Sequence, residues 1–188
     1  RMIIPAAPGG GVDTIGGGDG NDTLFGIAGA DIIDGGAGND RITGGTQADV
    51  TTGGAGNDVF SYAAGDSVVA AGASTGFDTI TDFAANTSAT TNGDRINIGA
   101  AAGAVQNVAA PFTSAGVSLS GDLAAAGLTL AAANTVATVT ITGAVAWAGN
   151  YVVIGDAAAG YNAADTVIKL NSLINITAAN IANVIGAF

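Results

Sequence analysis

Every ninth residue from Ile15 to Phe60 is apolar, with one exception: Ile15, Leu24, Ile33, Ile42 and Phe60 hold the place, and Thr51 interrupts it. Cutting the chain in nines from Gly17 gives GGDGNDTLF, GIAGADIID, GGAGNDRIT, GGTQADVTT and GGAGNDVFS without insertion. One unit earlier, PGGGVDTIG (Pro8 to Gly16) keeps the register. Six units therefore lie end to end. The sixth position is Asp in each: Asp13, Asp22, Asp31, Asp40, Asp49 and Asp58. A flexible Gly-rich linker would show neither the fixed register nor the recurring apolar residue.

Glycines near the start of each unit permit positive φ through a tight turn. The last three residues predict a very short strand whose middle side chain points inward. Two units then make one coil of 18 residues, and turns two units apart stack on the same side. That spacing pairs Asp22 with Asp40 and Asp40 with Asp58 on one flank, and Asp13 with Asp31 and Asp31 with Asp49 on the other. Carboxylates joined by turn carbonyls (Gly18, Gly20, Gly36, Gly38, Gly54 and Gly56) form an all-oxygen cage suited to Ca²⁺. Up to four sites are expected.

The pattern resembles the RTX repeat, a GGxGxDxUx nonapeptide associated with calcium-binding parallel β-helical coils. The resemblance covers Pro8 to Ser61 and implies a parallel β-roll that binds Ca²⁺. The departures rank the sites. Gln47 stands for the fourth glycine and Thr51 for the apolar residue of the same unit, which weakens the Asp31–Asp49 site. Ile27 replaces a second glycine, and Pro8 opens the first unit, which leaves the Asp13–Asp31 site incomplete. Asp22–Asp40 and Asp40–Asp58 are expected to be strongest. Asp19 and Asp34, at variable positions, read as solvated turn residues.

Composition sharpens the chemistry. All 15 acidic residues are Asp, against 4 Lys+Arg, for a formal net charge of -11. Short carboxylates held close to the backbone fit turns and hard-cation sites. Nucleic acid and anionic membranes are poor partners for that charge. The absence of Cys and His excludes disulfides, thiolate and imidazole metal sites, and any nucleophile–His dyad. No apolar run is long enough for a spanning helix, and no N-terminal signal peptide is visible.

Beyond the repeats, DTITDF and DRINI alternate apolar and polar residues as half-buried strands do. With VFSY and GDS they resemble the segment that caps the roll in serralysin-type metalloproteases and other type I secreted proteins, with an insertion at Asn86 to Asn92. The resemblance makes Asp78, Asp82 and Asp94 candidates for one further calcium; loop and strand-end carboxylates are the other reading. A short helix is expected near Asp122 to Ala126. TVATVTIT (Thr135 to Thr142), NYVVI (Asn150 to Ile154) and TVIKL (Thr166 to Leu170) read as strands. Asp156, Asn162 and Asp165 form either an Asx-rich turn or a calcium loop.

The expected organisation is all-β: a lead-in at 1–7, the roll at 8–61, a roll-capping segment at 62–99, and a C-terminal β domain at 100–188, of sandwich or capping type. Its uncharged end, INITAANIANVIGAF, resembles an uncleaved type I export signal, which implies the type I secretion machinery as a partner and an extracellular or cell-surface location. The function expected is a non-catalytic, calcium-binding structural module, with self-assembly through β edges in a surface layer or extracellular fibre. The alternatives are the secretion and folding module of an exported protease or lipase, and the end of a giant adhesin.

Overall fold

The computed structural model describes residues 3–5, 10–63, 65–73, 75–84, 93–98, 105–107, 112–114, 118–126, 128, 133–156 and 161–171. Pro8, the insertion at 86–92 and the uncharged segment at 174–188 lie outside them.

The repeats coil as their spacing requires. Strands β1 (Ile3–Pro5), β2 (Thr14–Asp19), β3 (Thr23–Ala28), β4 (Ile32–Ala37), β5 (Arg41–Thr46), β6 (Val50–Ala55) and β7 (Val59–Ser61) alternate between two sheets. From β2 to β7, partners in each sheet are parallel and 18 residues apart, as in Ile15 with Ile33 and Leu24 with Ile42. The six-residue strands from β2 to β6 are longer than expected: each runs from the end of one unit into the first glycines of the next. Across the unit boundary the chain bends yet keeps pairing, from Gly16 with Asp34 to Gly18 with Gly36. This is a parallel β-roll.

Two columns of inward side chains fill it. One runs Ile15, Ile33, Thr51, Ile80; the other runs Leu24, Ile42, Phe60, Ile96. Ile80 and Ile96 belong to β8 (Asp78–Ile80) and β9 (Arg95–Asn97), which add a fourth rung to each column from outside the repeats. Full burial of each such side chain contributes about 1.5–3 kcal/mol. Thr51 keeps the inward place, 2% exposed, with its hydroxyl turned to the Thr79 carbonyl and the Tyr62 phenol.

Strands β12 (Ala133–Thr142), β13 (Gly149–Asp156) and β14 (Thr166–Leu170) continue the sheet of β2, β4, β6 and β8 edge to edge, because β14 pairs with β8 in parallel. The short β10 (Val105–Asn107) and β11 (Phe112–Thr113) both pair with β12. Val136, Val152, Ile168 and Leu170 extend the core inside the roll. On the other face of the same sheet, Val139, Tyr151, Val153 and Val167 pack with Leu119 and Leu123 of helix α1 (Leu119–Ala125). That helix begins three residues before the expected start, because the Ser118 hydroxyl caps it by accepting the Gly121 N–H.

At Gly38 the spacing of the layers leaves no room for a side chain. Gly38 has φ +132°, and a Cβ there would overlap the Gly20 carbonyl oxygen of the preceding coil. Gly16 has open space around it. Gly38→Ala should therefore cost at least about 1–2 kcal/mol from backbone handedness alone, and Gly16→Ala less than about 0.5 kcal/mol. Thermal melts of the calcium-loaded variants followed by circular dichroism check this; equal losses would contradict it.

Candidate metal centre: two aspartate ladders

The sixth residue of each unit ends the turn two places before the inward eighth residue, so its side chain points into the roll. Asp31, Asp40, Asp49 and Asp58 are at most 1% exposed. Each inward carboxylate accepts, through Oδ1, the backbone N–H of the aspartate one coil earlier. The pairs are Asp13 N–H to Asp31, Asp22 to Asp40, Asp31 to Asp49 and Asp40 to Asp58, each at 2.8 Å.

The ladders outrun the repeats. Asp49 N–H donates to Asp78 Oδ1 at 2.9 Å, and Asp58 N–H to Asp94 Oδ1 at 2.9 Å, after intervals of 29 and 36 residues. The two flanks thus read Asp13–Asp31–Asp49–Asp78 and Asp22–Asp40–Asp58–Asp94. The expected weakness of Asp31–Asp49 leaves no mark on this bond. Its unit keeps the left-handed turn, with Gln47 at φ 82°, as the neighbouring unit does with Ile27 at φ 77°. Both are exposed and point away from the stacked backbone.

The second oxygen carries the chemistry. Oδ2 of Asp31, Asp40, Asp49, Asp58 and Asp78 is buried with no hydrogen-bond donor. A buried carboxylate oxygen without a partner costs several kcal/mol unless a cation meets it. Around the point where Gly35 lacks a Cβ, Asp40 Oδ2 and the Gly53 carbonyl oxygen come within 2.5 and 2.6 Å. The same convergence recurs at Gly26, with Asp31 Oδ2 and the Gly44 carbonyl. Among the described residues no three acidic, His or Cys side chains group together. The further donors that converge with these carboxylates are turn carbonyls, such as those of Gly53 and Gly44. An all-oxygen set on flexible turns fits Ca²⁺ better than the octahedral, strongly hydrated Mg²⁺.

The remaining candidates divide. Asp78 is fully buried and matches the ladder pattern, and its own N–H donates to Ser67 Oγ at 2.6 Å. Asp94 accepts the Asp58 and Ala84 N–H groups, one on each oxygen. Asp82 stands apart from the ladder: its two oxygens take the Gly53 and Gly54 N–H groups and close the last turn. Asp19 and Asp34 are exposed. Around the buried Asp165, the Asp156 N–H donates to Oδ1 and the Asn162 N–H to Oδ2, while Asn162 Oδ1 accepts the Ala164 N–H. That is the hydrogen bonding of an Asx turn. Sequence reading missed the column of amides in which Asn21 and Asn39 accept the N–H of Asn39 and Asn57; its signal was the fifth-position Asn of three alternate units.

Comparison with known proteins agrees with this geometry. Residues 9–42, 25–60 and 34–69 match the family model of the RTX calcium-binding nonapeptide repeat (4 copies). Among solved structures, the chain is similar to the AlgE6R3 subunit of the mannuronan C5-epimerase from Azotobacter vinelandii. That match has 22% identity and a TM-score of 0.52, over 96% of this chain and 90% of the other. No curated protein matches the chain.

Burial is the largest influence on the carboxyls of Asp40, Asp49, Asp58, Asp78 and Asp94, and it raises their pKa values. It pushes Asp49 and Asp58 up to about 6 and Asp78 up to about 8, with neighbouring carboxylates adding to the rise and the backbone N–H bonds opposing it. A carboxyl whose pKa is higher folded than unfolded stabilises the fold below the unfolded value near 4, and that contribution is lost as pH rises through the folded value. Metal-free protein should therefore lose stability from about pH 4 to pH 8, read as loss of the far-UV β signal in chelator as pH rises; a β signal that grows with pH would overturn this. Inward carboxylates stacked at nonapeptide spacing on two flanks, with the family match over residues 9–69, identify an array of RTX calcium-binding nonapeptide repeats folded as a β-roll.

Proposed function

We propose that the chain is a non-catalytic, extracellular structural module whose folding is switched on by calcium after secretion. The observation that supports it most directly is the set of buried Oδ2 atoms without donors. On this reading Asp22, Asp40 and Asp58 hold Ca²⁺ on one flank and Asp13, Asp31 and Asp49 on the other, with the turn carbonyls of Gly18, Gly20, Gly36, Gly38, Gly54 and Gly56. Asp78 and Asp94 extend the two series by one rung. Asp82 serves as a turn cap and not as a ligand.

Mass action sets the scale. Extracellular calcium modules bind at about 10⁻⁴–10⁻³ M. At tenfold excess each site adds about 1.4 kcal/mol, and four sites about 5–6 kcal/mol. Domain stability is typically about 5–15 kcal/mol, so this contribution decides whether the roll exists. Where calcium is scarce the carboxylates repel and the chain stays threadable, which suits export through a type I secretion channel. Among the described residues no helix is long and apolar enough to cross a membrane.

The parent role we favour is a surface layer or other self-assembling extracellular sheet, in which calcium stiffens the building block. A second reading draws on the AlgE6R3 match: that structure is a subunit of an enzyme. This chain would then be the secretion and folding module of an exported enzyme, such as a protease or lipase. Negative-stain microscopy separates the two. Sheets or filaments in calcium favour the first; a strictly monomeric roll favours the second.

Far-UV circular dichroism should show a β spectrum in millimolar calcium and a disordered one in EGTA; an unchanged β spectrum would refute calcium-triggered folding. Asp40→Asn removes the carboxylate common to two proposed sites, and should raise the calcium midpoint about tenfold, equal to about 1.4 kcal/mol. Asp19→Asn, outside the ladders, should leave it unchanged.

A further inference from the structure

The two ladders end in different settings. Asp94 lies just before β9, the terminal strand of the five-stranded sheet, where it pairs with β7. Both Asp94 oxygens accept N–H groups, from Asp58 and Ala84. Asp78 opens β8, which lies between β6 of the roll and β14 of the C-terminal strands. Its Oδ2, like that of Asp49 one rung earlier, is buried without a donor. The Asp49–Asp78 rung is thus the one placed where the aspartate array meets the C-terminal strands.

The neighbours of Asp78 lead into the second core. Its N–H donates to Ser67 Oγ at 2.6 Å, and the Ser67 hydroxyl donates to the Val167 carbonyl at 2.5 Å. The Val167 N–H returns to the Ser67 carbonyl at 2.8 Å, and Val68 bridges Thr166. Phe77, the residue before Asp78, packs edge-on against the Tyr151 ring with centroids 5.6 Å apart. The Tyr151 hydroxyl donates to the carbonyl of Trp147, whose indole N–H donates to Asp122 of α1 at 2.8 Å. Trp147 is the single tryptophan of the chain, so its emission reports this core.

A strand of three residues has few ladder bonds of its own, and its place depends on what is held at its ends. At Asp78 those holds are the Asp49 N–H, Ser67, and a cation at Oδ2. Without the cation, a buried and ionised carboxylate opposes the position of β8. Displacing β8 strips β14 of its edge partner and withdraws Phe77 from Tyr151.

We propose that Asp78 is a coupling residue: Ca²⁺ held between Asp49 and Asp78 fixes β8, and the C-terminal strands pack on the roll only when this rung is filled. The inference rests on the calcium reading above and gives one rung a second task. Linkage makes the effect reciprocal, so packing of the second core strengthens binding at this rung. Asp58–Asp94, with no strand beyond β9 in its sheet, does not share the role.

Calcium titration of the full chain tests it, with hydrogen exchange reporting the roll and Trp147 emission reporting the second core. In the wild type, emission should become native-like over the calcium range in which exchange of residues 23–60 slows. Val153→Ala opens a cavity in the second core, on the α1 face of the sheet. It should raise the calcium midpoint for protection of residues 75–83 about fivefold or more. In an Asp78→Asn background Val153→Ala should no longer move that midpoint, whereas in an Asp94→Asn background it still should. A Val153→Ala midpoint equal to the wild type overturns the coupling, and so does equal cancellation by Asp78→Asn and Asp94→Asn. A roll protected by calcium while Trp147 emission ignores it removes the coupling alone. A roll equally protected in EGTA removes the calcium reading and the coupling with it.

Discussion

Each inward aspartate is held between two opposing demands. Its backbone environment draws the carboxylate inside, because Oδ1 completes a hydrogen bond to the coil before it. In Asp31, Asp40, Asp49, Asp58 and Asp78 the second oxygen, buried without a donor, opposes that placement as soon as the group ionises. Everything else in the roll is arranged around this conflict. Turn glycines let the layers approach until the carboxylates stack, and the apolar columns fill the space between the sheets. Asp40 shows the balance: burial raises its pKa, the Asp22 N–H lowers it, and the Asp22 and Asp34 charges raise it again. A divalent cation resolves the conflict by meeting several such oxygens at once.

The same arrangement explains why the cap matters. A roll that ended at Ser61 would leave the N–H groups of Asp49 and Asp58 without the carboxylates that the earlier rungs enjoy. Asp78 and Asp94 supply them, and Ile80 and Ile96 close the two apolar columns above Thr51 and Phe60. Asp82 then satisfies two turn N–H groups that no further coil would cover. Ser67 ties this cap to the C-terminal strands: its hydroxyl donates to the Val167 carbonyl at 2.5 Å and accepts the Asp78 N–H. The end of the metal array is thereby fixed to the second core under α1.

Much of this was legible because the repeat is strict. Nine-residue spacing fixed which aspartates stack, and an 18-residue coil follows from it without any tertiary information. What the sequence hid depends on irregular spacing. Asp78 and Asp94 were candidates by resemblance, but nothing in intervals of 29 and 36 residues says that they occupy the next rungs. The six-residue strands were missed because glycines are poor strand formers, and here pairing with the coil above overrides that preference. Ile27 and Gln47 looked like defects. Outside the stacked backbone, each keeps the left-handed turn at a cost of about 1–2 kcal/mol, which the neighbouring coils must offset.

The asymmetry between the flanks is the last consequence of building from a short repeat. Only the inward Asp, the inward apolar residue and the turn glycines of each unit are tied to coil geometry and metal. The outward positions are free to differ. On one flank they hold an amide column whose side chains bond from coil to coil. On the other they hold Val12, Ile32 and Val50, which bond to nothing in the roll. Fold and metal ask nothing of those side chains, and exposed valine and isoleucine weaken solubility. The coil therefore fixes its own geometry and its aspartate ladders while leaving its outward surface open to change from unit to unit.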